Sequence, residues 1–410
     1  MRLPMPTPQR PAKRPTPRRG GYRASRPTAA GFREPQPYRA RSASSRRSPT
    51  VIALLVLCVL AVGGAAGAYA LVQSAAPHAG GSASGTDSLA VSEEAFEAPE
   101  PEVEPTRITI TFAGDCTLGT EESFDYASSF TGIYDTEGPD YFFANVKSIF
   151  EADDLTVANC EGVLTTATTR EDKEYAYKGD PSYAEIFSRS SVEATSVSNN
   201  HIYDYGWNSR GDTLAALADA GVTAFGDEIV AYEDVKGVKV ALIGANMLSL
   251  GLGIQDQVTT SIHAAQDAGA QIIIVFMHWG TMREYDPTDE QIELAHIAID
   301  AGATVVAGSH QHVLQGYEKY NGRYIVYGLG NFCYGGSRTL GDPDCYIFQQ
   351  TFTLSEEGIE TDDAVEVIPC LISSDSERNN YQPTIAEGAD RERIEGKIAD
   401  SSSGVVARAG

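Results

Sequence analysis

Cysteine and histidine are scarce in this sequence, with six and seven residues among 410. No two cysteines have the Cys-x-x-Cys spacing typical of zinc ribbons, which excludes that class of structural zinc site. Cys58 lies in an apolar run, so five cysteines remain for the rest of the chain. If that part is exported, a disulfide is allowed, and Cys333 with Cys345 is the pair we expect. Their odd number leaves at least one thiol unpaired, and Cys116 and Cys160 are interpreted as small buried hydrophobic residues.

Basic residues are scarce everywhere except at the N-terminus. The first 50 residues contain 13 of the 31 Lys and Arg and a single acid, Glu34. Together with many Pro, Ser and Gly, this composition predicts a disordered basic arm, for which nucleic-acid binding is one interpretation. The arm carries +12 of a formal net charge of -25, which leaves -37 for the remaining chain. That charge opposes contact with nucleic acid, and an anionic substrate would need a metal or a local basic pocket.

A run of 22 uncharged, mostly apolar residues at 51–72 favours a different role for the arm. As a helix the run would span about 33 Å, enough to cross a bilayer core of about 30 Å, so we predict a transmembrane signal anchor. The positive-inside rule then places the arm in the cytoplasm and the chain after residue 72 outside the cell, which predicts a single-pass cell-membrane protein with an extracellular C-terminal domain. A cleaved signal peptide is the alternative, because small residues at 68–76 suit a signal peptidase, although the basic region is long for an export signal.

The exported part divides by composition. Residues 73–106 form a Ser-, Gly-, Pro- and Glu-rich linker with six glutamates between Glu93 and Glu104, which predicts a self-repelling spacer. A folded domain is expected at 107–373. The polar segment 374–410 is expected to be a disordered tail, with a helix possible near 390–398.

Within the folded domain, strand and helix patterns alternate, which predicts an α/β fold. Ile108, Ile110 and Phe112 alternate with threonines as in a half-buried strand. Further short apolar runs predict strands at 155–158, 194–198, 238–243, 272–277, 304–307 and 324–327. Helical patterns occupy 141–149, 181–187, 209–220 and 288–301. The last has the capping-box spacing of Thr288 and Gln291 and is stopped by Gly302.

Five short motifs place polar residues where predicted strands end, and four of the seven histidines lie in them. Ligands of open α/β sheets bind beyond the carboxyl ends of the strands, so the series predicts one metal-assisted crevice. The motifs are Gly114-Asp115, Asn159-Cys160-Glu161, Asn199-Asn200-His201 with Asp204, His278-Trp279-Gly280 with Glu284, and Gly308-Ser309-His310-Gln311-His312.

The residue types suit one or two divalent ions, for which Mn, Fe, Zn and Mg are all possible, because adjacent cations need shared carboxylates and neutral imidazoles. His201 and Asp204 are candidates for acid/base or supporting roles, and Asn199, Glu284 and Asn331 for substrate binding. A plain turn is the alternative for the asparagines. The candidate metal ligands are Asp115, Glu161, Asn200, His278, His310 and His312.

These motifs resemble the CapA-type capsule-synthesis family of poly-γ-glutamate production, which is related to the calcineurin-like metallophosphatases. The resemblance covers residues 107–370. It implies a four-layer α/β/β/α sandwich, with the six candidate ligands holding metal and His201 beside the substrate. The matching stretches are Phe-Ala-Gly-Asp-Cys (112–116), Ala-Asn-Cys-Glu-Gly (158–162), Ser-Asn-Asn-His-Ile-Tyr-Asp-Tyr-Gly (198–206), His-Trp-Gly (278–280), Gly-Ser-His-Gln-His-Val-Leu-Gln-Gly (308–316) and Gly-Leu-Gly-Asn-Phe (328–332).

Two departures bear on activity. The phosphatase pattern Asp-x-His would place histidine where Thr117 stands, and Asn159-Cys160-Glu161 replaces Gly-Asp-x-x-Asp. The resemblance implies a membrane-anchored extracellular protein of anionic capsule synthesis or export, for which metal-dependent hydrolysis is one possible activity. The partners it implies are the membrane and the capsule polymer or its synthase subunits. Two alternatives stay open: a non-catalytic subunit that binds polymer or partners, and a stand-alone surface phosphoesterase, which Thr117 disfavours.

Overall fold

A computed structural model describes residues 105–355, 358–360 and 364–409. The predicted basic arm, the predicted transmembrane helix at 51–72 and the linker up to residue 104 lie outside the described residues. No helix in the described ranges combines the length and apolar character that a membrane crossing requires.

Within these ranges the chain forms seventeen strands and seven α-helices, which confirms a mixed α/β fold with several sheets. The strands are β1 Thr106–Thr117, β2 Leu155–Cys160, β3 Val163–Leu164, β4 Lys178–Gly179, β5 Ala194–Ser196, β6 Thr223–Phe225, β7 Ala231–Val235, β8 Val238–Asn246, β9 Ile272–His278, β10 Val305–Ser309, β11 Tyr317–Tyr320, β12 Arg323–Val326, β13 Asn331–Tyr334, β14 Asp344–Ser355, β15 Gly358–Glu360, β16 Val365–Leu371 and β17 Thr384–Ile385.

The α-helices cover or overlap the patterns at 181–187, 209–220 and 288–301. The helix predicted at 141–149 is wrong over most of its length. Hydrogen-bonded turns there separate a 3₁₀ turn at Pro139–Tyr141 from a four-residue helix at Lys147–Phe150. The helices are α1 Phe130–Glu137, α2 Lys147–Phe150, α3 Glu185–Ser188, α4 Ser209–Asp219, α5 Gln255–Asp267, α6 Asp289–Ala301 and α7 Gly388–Ala409.

Two large sheets organise the domain. The first has nine strands in the order β17-β16-β14-β1-β2-β5-β6, with β13 and β15 paired to β1 and β14. The second has six, in the order β11-β12-β10-β9-β8-β7. Strands β1, β2, β5 and β6 run parallel, as do β8, β9, β10 and β12. Parallel strands of each sheet therefore end at one edge, as the motif positions require.

The apolar faces of the two sheets pack against each other. Ile110 and Phe112 of β1 belong to one buried cluster with Leu242, Ile274 and Phe276 of β8 and β9. The alternation of residues 108, 110 and 112 thus turns one side of β1 toward the second sheet, because successive strand side chains point to opposite faces. Separate clusters join the outer face of the first sheet to α1–α4 and that of the second to α5 and α6.

Helix α6 begins and ends where its sequence signals predict. The Thr288 hydroxyl accepts the Gln291 N–H at 3.2 Å, and the Gln291 side chain accepts the Thr288 N–H at 3.0 Å, which completes the capping box. Gly302 ends the helix with φ 115°, a left-handed conformation that glycine adopts without a Cβ clash.

The C-terminal segment corrects a prediction. Disorder is wrong for Gly388–Ala409, which form the 22-residue helix α7, and the helix expected near 390–398 is confirmed. Ile394, Ile398 and Val405 are buried on the domain, and the Asp344 carboxylate accepts hydrogen bonds from Arg393 at 2.6 and 3.0 Å. Three apolar residues on one face suffice to dock a helix whose composition is polar.

The expected Cys333–Cys345 disulfide is wrong, since all five cysteines in the described ranges are free and buried. The Cys333 thiol donates to the Tyr381 carbonyl at 3.4 Å, while Cys345 lies opposite Cys370 on the neighbouring strand. Burial raises the pKa of the Cys333 and Cys345 thiols well above the usual value, which disfavours reactive thiolates. The interpretation of Cys116 and Cys160 as buried hydrophobic residues is confirmed.

Candidate metal centre

The centre lies where strand ends of both sheets meet. Asp115 near the end of β1 and Glu161 just after β2 come from the first sheet, and His278 at the end of β9 comes from the second. The Asn159 amide connects the two, because its Nδ2 donates to Asp115 Oδ1 at 2.7 Å and lies 3.3 Å from His278 Nδ1.

Asp115 is fully buried and held on both carboxylate oxygens. Its Oδ1 accepts from Asn159, and its Oδ2 accepts the His310 backbone N–H at 3.0 Å. The preceding Gly114 allows β1 to approach the chain at Gly330, because a Cβ there would lie 2.0 Å from the Gly330 carbonyl oxygen. The Gly-Asp motif is therefore explained by a close backbone approach beside a fixed carboxylate.

Glu161 is the central carboxylate of the cluster. Its Oε2 accepts the Thr117 hydroxyl at 3.0 Å, whereas its Oε1 is buried without a hydrogen-bond partner. Oε1 lies 4.0, 3.9 and 3.8 Å from the Nε2 atoms of His201, His278 and His312. Burial first, and then the nearby Asp115 carboxylate, raise the pKa of Glu161 well above its usual range. A bound cation would favour the ionised form of Glu161.

His278 is fixed by polar contacts on both ring nitrogens. Its Nε2 lies 2.8 Å from Asn200 Oδ1, and its Nδ1 lies 3.1 Å from the Ser309 hydroxyl. Burial, together with the charges that His310 and His312 would carry, holds the pKa of His278 well below 6.5. The imidazole is therefore neutral at pH 7, the form in which a histidine can bind a metal.

His310 and His312 occupy strained backbone, with φ of 101° and 57°. Burial lowers the pKa of His310 to about 3, and its Nδ1 is buried without a hydrogen-bond partner. His312 Nδ1 lies 2.8 Å from Asn331 Oδ1, and its other ring nitrogen points to Glu161. Left-handed conformations at residues other than glycine concentrate at functional sites, where the surroundings hold them in place.

His201 and Asp204 form a buried dyad beside this cluster. His201 Nδ1 lies 2.7 Å from Asp204 Oδ2, which also accepts the Tyr177 N–H at 2.7 Å. Lys173 Nζ donates to Asp204 Oδ1 at 2.6 Å, and the Tyr177 ring lies 4.6 Å from the His201 ring. Burial lowers the pKa of His201 even though Asp204 opposes this, so the ring is neutral at pH 7. Because a carboxylate only accepts, Nδ1 carries the proton and Nε2 faces Glu161.

Most of the sequence-derived candidates meet here. Asn199 supports the cluster, since its Nδ2 donates to the Cys160 carbonyl at 2.9 Å and its Oδ1 accepts the His201 N–H. Glu284 differs: its side chain is exposed, and only its backbone is engaged, the N–H by the Thr281 carbonyl and the carbonyl by Gln315 Nε2. Asn331 contacts His312 through both side-chain atoms, and Asn200 reaches His278 from an otherwise exposed position.

Sequence reasoning missed Asn159, Lys173 and Tyr177 as site residues. Asn159 lay in a recognised motif, and its position at a strand end was the signal available. Lys173 and Tyr177 belong to the segment between β3 and β4, where no periodicity or motif marks them. Only the folded chain brings that segment against His201.

Two groups of side chains could hold metal ions, and Glu161 belongs to both. One consists of Glu161, His278 and His310, the other of Asp115, Glu161 and His312, and the ligand atoms of each group lie within 4.8 Å of one another. The partnerless atoms Glu161 Oε1 and His310 Nδ1 fall in the first group. A buried polar atom without a partner costs about 1–3 kcal/mol, which ligation would remove. The residues present therefore fit a divalent metal.

Comparison with known proteins gives a consistent set of relatives. The family model "Bacterial capsule synthesis protein PGA_cap" matches residues 109–335. The chain is 30% identical over 256 residues to the PGA biosynthesis protein CapA of Bacillus subtilis, covering 57% of this chain and 65% of that protein, just under two thirds of its length. It is 26% identical over 342 residues to the capsule biosynthesis protein CapA of Bacillus anthracis, covering 75% and 77%.

A more distant relative is a probable polyglutamine synthesis accessory protein of Mycobacterium tuberculosis, 27% identical over 212 residues, which cover 44% of this chain and 55% of that protein. Among solved structures, a hypothetical protein from Thermus thermophilus aligns with a TM-score of 0.40 and 14% identity, over 64% of this chain and 98% of that one. That structural similarity is too weak to assign a fold.

Proposed function

This chain belongs to the bacterial capsule synthesis protein PGA_cap family, and from that premise we propose that it acts in the synthesis or export of a poly-γ-glutamate or related anionic capsule through a metallophosphatase-like metal centre. The observation that carries the proposal is the buried Glu161 Oε1, which has no hydrogen-bond partner and faces three histidines.

Glu161, His278 and His310 would hold one divalent ion, and Asp115 and His312, with Glu161 again in the group, would hold a second. Asn200 is a further candidate ligand. When bound, such ions would supply Lewis-acid polarisation of a phosphoryl or acyl oxygen and activation of water. The low pKa values of His278 and His310 support the assignment, since both rings are neutral at pH 7.

The dyad supplies the proton transfer. Asp204 accepts the Nδ1 proton of His201, which orients the ring and leaves Nε2 free to take a proton from a substrate hydroxyl or water and return it to a leaving group. Lys173 neutralises Asp204, and Tyr177 packs on the ring and limits its rotation. These contacts hold the His201 ring so that its Nε2 faces the proposed metal site.

The architecture proposed is the four-layer α/β/β/α sandwich of the calcineurin-like metallophosphatases. It is supported by one apolar cluster between the sheets and a helix-lined cluster on each outer face. We further propose that residues 51–72 form a helix that anchors the protein in the cell membrane by a single pass, with residues 73–106 spacing an extracellular domain from the lipid. Capsule polymer or its synthase subunits are the proposed partners.

A non-catalytic role is the second candidate, and Thr117 favours it. A histidine there would add a nitrogen ligand, whereas the threonine hydroxyl donates to Glu161 Oε2. In that case the metal would stabilise a surface that binds polymer or partner proteins. A domain with an acidic surface would then need bridging cations to hold a polyanion.

Elemental analysis of the purified full-length protein and of His310→Ala tests the metal assignment, with phosphomonoester and phosphodiester turnover assayed on the same samples. We expect two equivalents of divalent metal in the wild type and a loss of metal and turnover in the variant, with unchanged circular dichroism. His296→Ala is the matched control, since His296 pairs with Glu318 at 2.8 Å and contacts none of the proposed ligands. Unchanged metal in His310→Ala would refute the assignment, and bound metal without turnover would favour the non-catalytic role.

A further inference from the structure

Arg283 occupies a backbone conformation that a residue with a side chain adopts at a cost. It is the third residue of a turn in which the Glu284 N–H donates to the Thr281 carbonyl at 3.3 Å, and its φ is 63°. Glycine or asparagine is preferred there, because a Cβ is crowded in the left-handed region. The Arg283 side chain is exposed, so burial does not compensate the cost. Strain of this kind concentrates at functional sites.

The loop 279–285 is hydrogen-bonded to residues 309–315, the segment that contains His310 and His312. Its Arg283 N–H donates to Gln311, which lies between these two histidines. Three hydrogen bonds fix the loop: Trp279 N–H to the Ser309 carbonyl at 3.1 Å, Arg283 N–H to the Gln311 carbonyl at 2.8 Å, and Gln315 Nε2–H to the Glu284 carbonyl at 2.9 Å. Arg283 is thus an exposed cation on a fixed backbone beside the centre.

The Arg283 guanidinium is not held by another side chain of the described residues. In the described ranges no acid forms an ion pair with its guanidinium and no acceptor receives a hydrogen bond from it. The two other cations of this region are engaged: Lys173 by Asp204 at 2.6 Å and Arg170 by Glu121 at 2.6 Å. Most of the acidic domain repels anions, so a cation without an ion pair here favours the approach of an anion.

The segment that carries Tyr175 lies on the dyad side of the centre. Glu174 raises the pKa of the Tyr175 phenol, and the positive charge of Arg283 opposes that rise. The Tyr175 ring lies 6.4 Å from the Tyr177 ring, which packs on His201. The backbone of Arg283 thus lies beside the chain that carries His310 and His312, and its charge acts on the Tyr175 side.

We propose that Arg283 binds an oxyanion of the substrate, a carboxylate or a phosphate, at the opening of the metal centre and so selects anionic substrates. The proposal rests on the function proposed above. A guanidinium presents parallel N–H donors that match two oxygens of such a group, and an exposed one needs no desolvated partner of its own. The rigid loop keeps those donors in place before the substrate arrives.

The test uses full-length protein loaded with Mn²⁺ and compares wild type with Arg283→Gln, Arg283→Lys and Arg283→Gly. Affinity is measured by fluorescence anisotropy for a labelled γ-linked glutamate decamer and by calorimetry for inorganic phosphate, and metal content is measured on each sample. Arg391→Gln is the control for net charge, because Arg391 pairs with Glu395 on α7. The glycine variant relieves the positive-φ strain, so it separates a structural role from a binding role.

We expect Arg283→Gln and Arg283→Gly to bind about tenfold more weakly, with Arg283→Lys partly restored, metal content unchanged, and the glycine variant melting at the same or a higher temperature. A loss for the decamer assigns the carboxylate, and a loss for phosphate alone assigns the phosphate. Metal-loaded variants that bind both probes like the wild type would overturn the role of Arg283 while leaving the metal centre intact. Wild-type protein that retains metal but binds neither probe would overturn it as well.

Discussion

Replacing Glu161 with glutamine should stabilise the metal-free protein while abolishing its response to metal. Glu161 Oε1 is buried, has no hydrogen-bond partner and lies beside the Asp115 carboxylate, so its ionised form is disfavoured in the folded state. The folded protein therefore holds this proton to higher pH than the unfolded chain does. As pH rises above the unfolded value the folded state loses stability, and glutamine has no proton to lose.

The contacts of Glu161 give the expected size of both the gain in stability without metal and the lost stabilisation by metal. Removing a desolvated, unpaired carboxylate should raise the free energy of unfolding by about 1–3 kcal/mol at pH 8. In a domain of this size about 1 kcal/mol corresponds to roughly 2 °C in melting temperature. In the wild type, metal at about 100 times its dissociation constant should add about 2.7 kcal/mol, or roughly 5 °C. Because glutamine offers the metal no negatively charged ligand, the Glu161→Gln variant should not be stabilised by Mn²⁺.

The assay is calorimetric melting of full-length protein at pH 8, first with a chelator and then with excess Mn²⁺. Glu318→Gln is the control: Glu318 is a buried carboxylate on β11 that is satisfied by His296 and Tyr327, and its loss should lower stability without changing the metal response. If Glu161→Gln melted below the wild type in chelator and still gained stability with Mn²⁺, Glu161 would be an ordinary structural carboxylate and the shared-ligand hypothesis would fail.

Two further predictions concern stability away from the centre. Burial raises the pKa of Asp153 to about 7, so the folded state loses stability as the pH rises from about 4 to 7. Asp153→Asn should remove that loss and raise the free energy of unfolding by roughly 1–2 kcal/mol at pH 8. Urea titrations at pH 5 and pH 8 would measure the difference. A pH-independent difference would contradict this. Ile398→Ala should cost about 2–4 kcal/mol and expose α7 to proteases, because Ile398 is 4% exposed against the domain. Wild-type resistance to limited proteolysis would show that α7 contributes little.

Local signals predicted much of the fold because β2, β9 and β10, which carry or precede three of the motifs, are short and buried along their whole length. The run at 272–277 is a strand of the second sheet, and Thr288 with Gln291 caps the following helix. The long strand β14 and the full length of helix α7 beyond 390–398 could not be predicted in this way. β14 mixes polar and apolar residues and is defined by its pairing with β1 and β16, and α7 has only a few buried residues among many charges.

The candidate ligands share one signal, a polar residue at a strand end, and most of them converge. His310 and His312 lie two residues apart in left-handed backbone, a conformation that their sequence does not indicate. Glu284 fits its motif but stays in solvent, because the turn that contains it directs its backbone rather than its side chain to the domain. Lys173 reaches Asp204 from a loop whose position depends on the whole fold.

The disulfide prediction failed for a different reason. The prediction assumed that cysteines of an exported domain form disulfides. Cys333 and Cys345 instead lie on different strands in the apolar interior and pack as small hydrophobic residues. Such thiols resist oxidation because burial also keeps them protonated.

The most direct test of a metal centre at Glu161 is anomalous-difference diffraction from crystals of the Mn²⁺-loaded protein. We predict two peaks beside Glu161, one bounded by His278 and His310 and the other by Asp115 and His312. Crystals grown at Mn²⁺ concentrations that saturate the melting response, yet without an anomalous peak beside Glu161, would contradict this prediction.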